Sequence, residues 1–229
     1  MKTRTLTLNK KKITAQIRSE ADESVFEEIF IDRDYKLLDS TITKAQTLIL
    51  DIGAHTGYFA IYASTLNPTT QIISFEPEPS NFKLLKENLK QNRIHNTKAK
   101  NLAVAGKEDQ QRQLTVSEDS HNHSLIAEAA NNPKETITTQ TTTLDRILQN
   151  HDKCDLVKMD VEGAEYEILA ATQPETFKKI KTLFIEYHEF TPEQNHKTLT
   201  QTLEKQGFKT QTQQNHYDKN LGYILATRA

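Results

Sequence analysis

The stretch Thr47-Leu48-Ile49-Leu50-Asp51-Ile52-Gly53-Ala54-His55-Thr56-Gly57-Tyr58-Phe59 constrains this chain more than any other. Residues 47–52 form a short run of aliphatic and β-branched side chains, interrupted only by Asp51 near its end. That is the pattern of a buried strand. A carboxylate in a core strand is costly unless it lies at the mouth of the sheet beside a polar partner. Gly53 and Gly57 carry no Cβ, so the backbone can turn sharply there and approach a ligand. In a doubly wound sheet, a turn at the carboxyl end of a strand is where ligands bind.

Spacing narrows the ligand. A dinucleotide loop requires G-x-G-x-x-G, and the second glycine of that series is missing here. A phosphate loop requires Gly-Lys-Ser/Thr, whereas Gly57 is followed by Tyr58 and Phe59. What remains is D-x-G-x-x-x-G with an aromatic pair opening a helix. It resembles the cofactor loop of class I methyltransferases that use S-adenosylmethionine.

The rest of the chain alternates strand and helix patterns, as an α/β fold does. Gln71 to Phe75 reads as a second strand ending in Glu76-Pro77. An acid about 20 residues beyond a glycine loop can accept hydrogen bonds from both ribose hydroxyls. Lys98 to Ala105 reads as a third strand, placing Asn101, Leu102 and Ala103 where adenine would lie. In Asp155-Leu156-Val157-Lys158-Met159-Asp160-Val161-Glu162-Gly163-Ala164-Glu165, period-2 alternation puts Lys158 and Asp160 on one face, and Glu162 with them if extension persists. A lysine is expensive to bury in a central strand without an acid beside it. A charged row ending at a glycine turn is therefore site-like, and a structural ion pair at the sheet edge is the weaker alternative. Lys181 to Tyr187 is the fifth strand, leading into His188 and Glu189, with Glu186 and His188 on one face. Thr191-Pro192-Glu193-Gln194 has the form of an N-cap, helix start and capping-box partner. Gly207 ends that helix, and Phe208–Gln213 with Leu221–Thr227 form a closing antiparallel pair.

Before the glycine loop, residues 1–44 read as a cap. Alternation around Asn9-Lys10-Lys11-Lys12 predicts a hairpin, and Val25, Phe26, Ile29 and Phe30 share one face of a helix over residues 24–30. Residues 45–229 form the main domain, with a polar insertion at about 106–141. Within the insertion, His121 and His123 beside Asp119 fit a surface loop better than a metal cluster, because no cysteine or further acid returns at ligand spacing.

These blocks together (Asp51 to Gly57, Phe75-Glu76-Pro77, Thr143-Leu144-Asp145 and Asp155 to Glu165) resemble the FkbM family of S-adenosylmethionine-dependent methyltransferases. The resemblance implies a seven-stranded, mostly parallel sheet with helices on both faces and a reversed last strand. It also implies methyl transfer, most often to a hydroxyl of a sugar, glycan or polyketide-like small molecule. His55 departs from the pattern, where a small or amide residue is usual; histidine tolerates positive φ better than most. The expected cofactor set is Asp51, Gly53, Ala54, His55, Gly57, Glu76, Ala103 and Asp160. The expected catalytic set is Asp160, Glu162 and His188 as candidate bases, with Lys158 keeping the carboxylates ionised and oriented. A version using magnesium or manganese on Asp160, Glu162, Glu186 and His188 ranks below the metal-free one.

Charge bounds the partners. The formal net charge is −2 over 229 residues, so no global field recruits nucleic acid. An RNA methyltransferase is an alternative reading, disfavoured because no basic stripe with interleaved aromatics stands out. A catalytically silent module that binds the cofactor is another, disfavoured by Glu76 and the charged Asp160 row. No apolar run is long enough to span a bilayer, and no signal-peptide core follows Met1-Lys2-Thr3-Arg4. The single Cys154 suits a reducing cytosol. Oligomeric state and acceptor identity have no signature in the sequence.

Overall fold

The computed structural model describes residues 1–117, 123–125, 133–189, 191–215 and 218–228. Asp119 and His121 lie outside the described residues. The chain opens with a hairpin, β1 (Lys2–Leu8) and β2 (Lys11–Ile17), then α1 (Glu20–Glu27), a π turn over Glu28–Asp32, a 3-10 turn over Asp34–Leu38, and α2 (Asp39–Lys44). The main sheet begins with β3 (Leu48–Ile52), α3 (Tyr58–Leu66), β4 (Gln71–Phe75), α4 (Pro79–Gln91) and β5 (Thr97–Lys100). A side sheet follows, from β6 (Ala103–Val104), β7 (Gln111–Ser117) and β8 (Pro133–Thr142). The chain ends with α5 (Leu144–Leu148), β9 (Leu156–Met159), α6 (Glu165–Ala171), α7 (Pro174–Lys179), β10 (Thr182–His188), α8 (His196–Lys205), β11 (Lys209–Gln214) and β12 (Leu221–Thr227).

The seven strands lie in the order β11-β12-β10-β9-β3-β4-β5. From β10 to β5 every neighbour is parallel, and β12 runs antiparallel to both β10 and β11. The mostly parallel sheet with a reversed last strand is therefore as expected. Alternation along β3 sends Leu48, Leu50 and Ile52 into one apolar cluster with α5 to α8, and Ile49 into another with α3, α4 and the N-terminal elements. Ile13, Ala15, Ile17, Phe26 and Phe30 are buried in that second cluster with Tyr58 and Tyr62 of α3. Among the described residues no helix is long and apolar enough to cross a membrane.

Three local expectations need correction. Residues 98–105 are not one strand: the chain leaves the main sheet after Lys100, and Ala103–Val104 pairs instead with Thr141–Thr142 of β8. The break falls at Asn101, whose amide donates to the carbonyls of Glu76 and Pro77 (both 2.9 Å). Helix α8 starts one turn later than Thr191-Pro192 suggests. Thr191 does accept from the Gln194 amide (3.1 Å), but as an isolated turn, and Asn195 is the N-cap, accepting from Lys197 and Thr198. The first helix also begins earlier, at Glu20, because Ser19 caps it by accepting from the Asp22 amide. Within the insertion β7 and β8 pair as antiparallel strands, which takes in the strand that Ile137 to Thr141 suggests.

Candidate active site

The site grows from one row of side chains across the sheet. In register, Ser74 of β4, Asp51 of β3, Lys158 of β9 and Phe184 of β10 are successive neighbours on the same face. Ser74 Oγ donates to Asp51 Oδ2 at 3.1 Å, and Lys158 Nζ lies 3.7 Å from Asp51 Oδ1. Lys158 Nζ also donates to the Gly53 carbonyl (2.8 Å) and to Asp160 Oδ2 (3.4 Å). The lysine thus ties the glycine turn to the end of the neighbouring strand. Burial disfavours its charge, yet Asp160 and Asp51 outweigh that and hold its pKa above the usual value. Asp51 is fully buried, and burial pushes its carboxyl up against the pull of Lys158.

Above this row the chain turns. Gly53 has φ +76°, and a Cβ placed there would lie 1.6 Å from the Asp160 carbonyl oxygen. The turn and the end of β9 are in contact because Gly53 has no side chain. Beyond Asp160 the extension does not persist. Glu162 has φ +51°, in the left-handed region. The expected alternating row therefore stops at Asp160, and Glu162 reaches His188 of β10 instead (Oε2 to Nε2, 3.2 Å).

The other ring nitrogen of His188, Nδ1, lies 3.1 Å from Glu165 Oε1. Glu165 is fully buried, and the same oxygen accepts from the amides of Val161 (3.3 Å) and Gly163 (3.2 Å). Burial alone would lower the His188 pKa, but Glu162 and Glu165 raise it well above the ordinary value. Those two carboxylates favour the protonated ring and fix its orientation by holding both of its nitrogens. Glu186, two residues before it, is pushed well up by burial and by Asp160.

These groups open onto a cavity of about 950 Å³. Carboxylates line it heavily, including Asp34, Glu76, Asp160, Glu162, Glu186 and Glu189, and among the described residues Lys158 is the only lysine or arginine in its wall. On the β4 side, Glu76 accepts from the amides of His55 (2.8 Å) and Glu78 (2.9 Å). Burial still raises its pKa to about 8. Leu102, Ala103 and Val104 supply an apolar wall, and Tyr35 and Tyr223 flank Phe184 beneath the mouth.

The structure therefore brings Gly53, Ala54, His55, Glu76, Ala103, Lys158, Asp160, Glu162 and His188 to one cavity. Asp51 and Gly57 are not in its wall. Asp51 sits behind Lys158, and a Cβ on Gly57 would meet Leu85 Cγ at 3.0 Å, so that glycine serves the packing of α3 on α4. His55 contributes its amide to Glu76 while its ring reaches Asp22 of α1 (Nε2 to Oδ1, 3.4 Å), which Arg18 also holds (2.9 Å). Asn101 is turned away from the adenine wall by its bonds to backbone carbonyls. Sequence reasoning gave no role to Glu165. The available signal was an acid opening a helix two residues after a glycine, placed to accept stray amide hydrogens.

The sequence matches the Methyltransferase FkbM domain over residues 51–210, more than half of the chain and spanning the glycine turn, Glu76 and the Lys158–Glu165 block. The chain belongs to the FkbM methyltransferase family. Methyltransferase 1 of Beauveria bassiana is 26% identical over 185 residues, covering 72% of each chain. Methyltransferase sdnD of Sordaria araneosa is 25% identical over 223 residues, covering 80% of this chain and 81% of its own. Among solved structures, Methyltransferase FkbM from Methylobacillus flagellatus superposes with a TM-score of 0.57 at 14% identity, over 88% of this chain and 47% of that one. Precorrin-6y C5,15-methyltransferase from Geobacter metallireducens gives 0.52 at 15% identity, over 89% and 92%. These likenesses establish the class I methyltransferase fold.

Proposed function

We propose that this FkbM-family chain transfers a methyl group from S-adenosylmethionine to a hydroxyl of a sugar, glycan or polyketide-like small molecule. The observation that carries this reading is a carboxylate-lined cavity walled on one side by the Gly53 turn and on the other by Asp160, Glu162 and His188. The residues fit the cofactor. The turn leaves no room for a Cβ at Gly53, Glu76 presents a buried carboxyl, and Leu102 with Ala103 offers an apolar wall. Glu76 would take the ribose hydroxyls, Ala103 the adenine, and Gly53, Ala54 and Asp160 the methionine part. When bound, the cofactor supplies an electrophilic methyl on a sulfonium, open to in-line attack.

The chain's own task is to align the acceptor and take its proton. The carboxylates of Asp160 and Glu162 are suited to accept it, while His188 orients Glu162 and Lys158 orients Asp160. The acidic wall repels phosphates, which favours a neutral or cationic acceptor over nucleic acid. The buried Cys154 thiol suits a reducing, cytosolic setting. Labelled methyl transfer is expected to sugar, glycan or polyketide-like hydroxyls and not to total RNA; label in RNA alone would overturn the reading. Asp160→Asn and His188→Ala should each lower turnover by about 10²–10⁴-fold, with binding of S-adenosylhomocysteine still measurable in at least one. Normal turnover in both would remove this assignment.

A second expectation concerns pH. In the free protein burial pushes the Glu76 carboxyl up to about 8, and ribose hydroxyls donate best to its ionised form. Binding therefore draws the proton off. Affinity for S-adenosylhomocysteine should rise about tenfold per pH unit as pH increases towards 8 and then level off. Calorimetry between pH 6 and 9 measures this, and Glu76→Gln should bind more weakly with no such slope. A flat profile for the unsubstituted protein would place Glu76 away from the cofactor.

A further inference from the structure

We propose that Asp160, Glu162 and His188 form a binding site for one divalent cation at the acceptor end of the cavity. The inference rests on the methyl-transfer reading, since it gives that site a second, non-cofactor component. Each of the three residues offers one ligand atom, and these atoms lie within 4.8 Å of one another. A cation seated among them would be within reach of all three after small side-chain rotations. Two carboxylates and an imidazole suit a first-row ion that accepts oxygen and nitrogen together, Mn²⁺ better than Ca²⁺ or Mg²⁺.

Two observations outside the triad point the same way. The first is the fixing of His188. A metal-binding histidine commonly gives its other ring N–H to a carboxylate, which sets the tautomer and aims the ligand nitrogen. Glu165 does this to Nδ1, and it is itself locked by the Val161 and Gly163 amides. Nε2 is thereby aimed at Glu162, on the side where Asp160 also lies. Glu165 is completely buried, and its second oxygen, Oε2, has no hydrogen-bond partner among the described residues. A buried carboxylate kept in so poor a setting is explained by the ligand it positions.

The second observation is charge. Among the described residues, the carboxyl groups of Asp51, Asp160, Glu162, Glu165 and Glu186 stand close around Lys158 and His188, so acidic side chains outnumber basic ones five to two. Glu186 lines the same cavity without a hydrogen-bond or ion-pair partner among the described residues. Bound S-adenosylmethionine contributes a net charge of only +1, and a divalent ion, displacing any proton from His188 Nε2 as it binds, would offset more of the acidic excess. Such an ion at the cavity mouth also makes an acceptor hydroxyl more acidic.

The test is direct binding of Mn²⁺ to the full chain, followed by the loss of the free-ion electron paramagnetic resonance signal. One site per chain is expected, with micromolar affinity and competition by excess Mg²⁺. Glu162→Gln, which keeps the size of the side chain, should weaken Mn²⁺ at least tenfold. Glu165→Gln leaves all three ligands in place and should weaken it 10–100-fold, as removal of an orienting partner does. Thermal melts guard against misfolding: Mn²⁺ should raise the melting temperature of the unsubstituted chain and not that of Glu162→Gln. No binding below about 1 mM, or equal binding by both variants, would overturn the proposal. Because the readout involves no methyl transfer, that failure is separable from failure of the proposed reaction, which would show as no uptake of S-adenosylhomocysteine.

Discussion

Gly53→Ala is expected to lose both cofactor binding and several kcal/mol of stability. Two separate costs combine. The residue sits at φ +76°, where an L-residue with a Cβ loses about 1–2 kcal/mol. The new methyl would also lie 1.6 Å from the Asp160 carbonyl oxygen, a backbone atom that cannot swing aside like a side-chain tip. Relieving that contact means pushing the glycine turn away from the end of β9. Lys158 then loses its bond to the Gly53 carbonyl or its contact with Asp160. Overpacking of this kind adds about 1–3 kcal/mol or more, so the melting temperature should fall by about 10 °C for a chain of this size. Gly207→Ala is the control. Its φ is +85°, but nothing lies within 4 Å of the added Cβ, so only the backbone cost of about 1 kcal/mol applies. Urea unfolding of both variants decides the matter. Equal losses at the two positions would mean that the turn and strand do not touch as described.

The contrast between these glycines shows what could be read from the sequence. The glycine turn, Glu76 and the Lys158–Asp160 pair were legible because each obeys a short-range rule. A strand alternates with period 2, and a buried charge needs a neighbour. Lys158 faces Asp51 because both sit on the same face in register, a result that alternation alone anticipates once the two strands are adjacent. Asp51 lies where alternation puts it, but behind Lys158 and outside the cavity wall. Sequence cannot tell the wall of a cavity from the layer behind it, and Lys158 intervenes.

Glu165 and the ring of His55 were illegible for a different reason. The link from Glu165 to His188 depends on the turn at residues 161–164, where Glu162 adopts a positive φ that no periodicity predicts. The His55 ring meets Asp22 only because the N-terminal elements fold back over α3. The break at Asn101 was hidden because the apolar Ala103 and Val104 continue a strand-like pattern, and they do form a strand, but in a different sheet. Thr191-Pro192 carried a sound local capping signal, realised as a single turn and then overruled by Asn195.

Lys158→Met should produce the largest loss of stability among single changes at the charged row, and Asp51→Asn should restore much of it. Lys158 is only 4% exposed, and its ammonium is shared by Asp51, Asp160 and the Gly53 carbonyl. Removing one partner of a buried pair leaves an uncompensated charge and costs about 3–5 kcal/mol. The stranded group is Asp51, which is fully buried and keeps only the Ser74 hydroxyl. Its carboxyl is already raised by burial and is held down chiefly by Lys158, so loss of the lysine sends it higher. A carboxyl whose folded pKa exceeds its unfolded one favours the folded state fully below the unfolded value. That contribution is lost as pH rises through the folded value. The single variant should therefore be less impaired near pH 5 than near pH 8. A neutral amide in place of the carboxylate has no charge to strand, so Asp51→Asn in the Lys158→Met background should recover more than half of the loss and flatten the pH dependence. Such coupling is expected of residues in contact. Turnover should not return with stability, because Asp160 and the Gly53 turn still lack the cation that orients them. Urea unfolding at pH 5 and pH 8 measures both effects. If the two substitutions simply add, Asp51 and Lys158 do not share the charge that holds the two strand ends together.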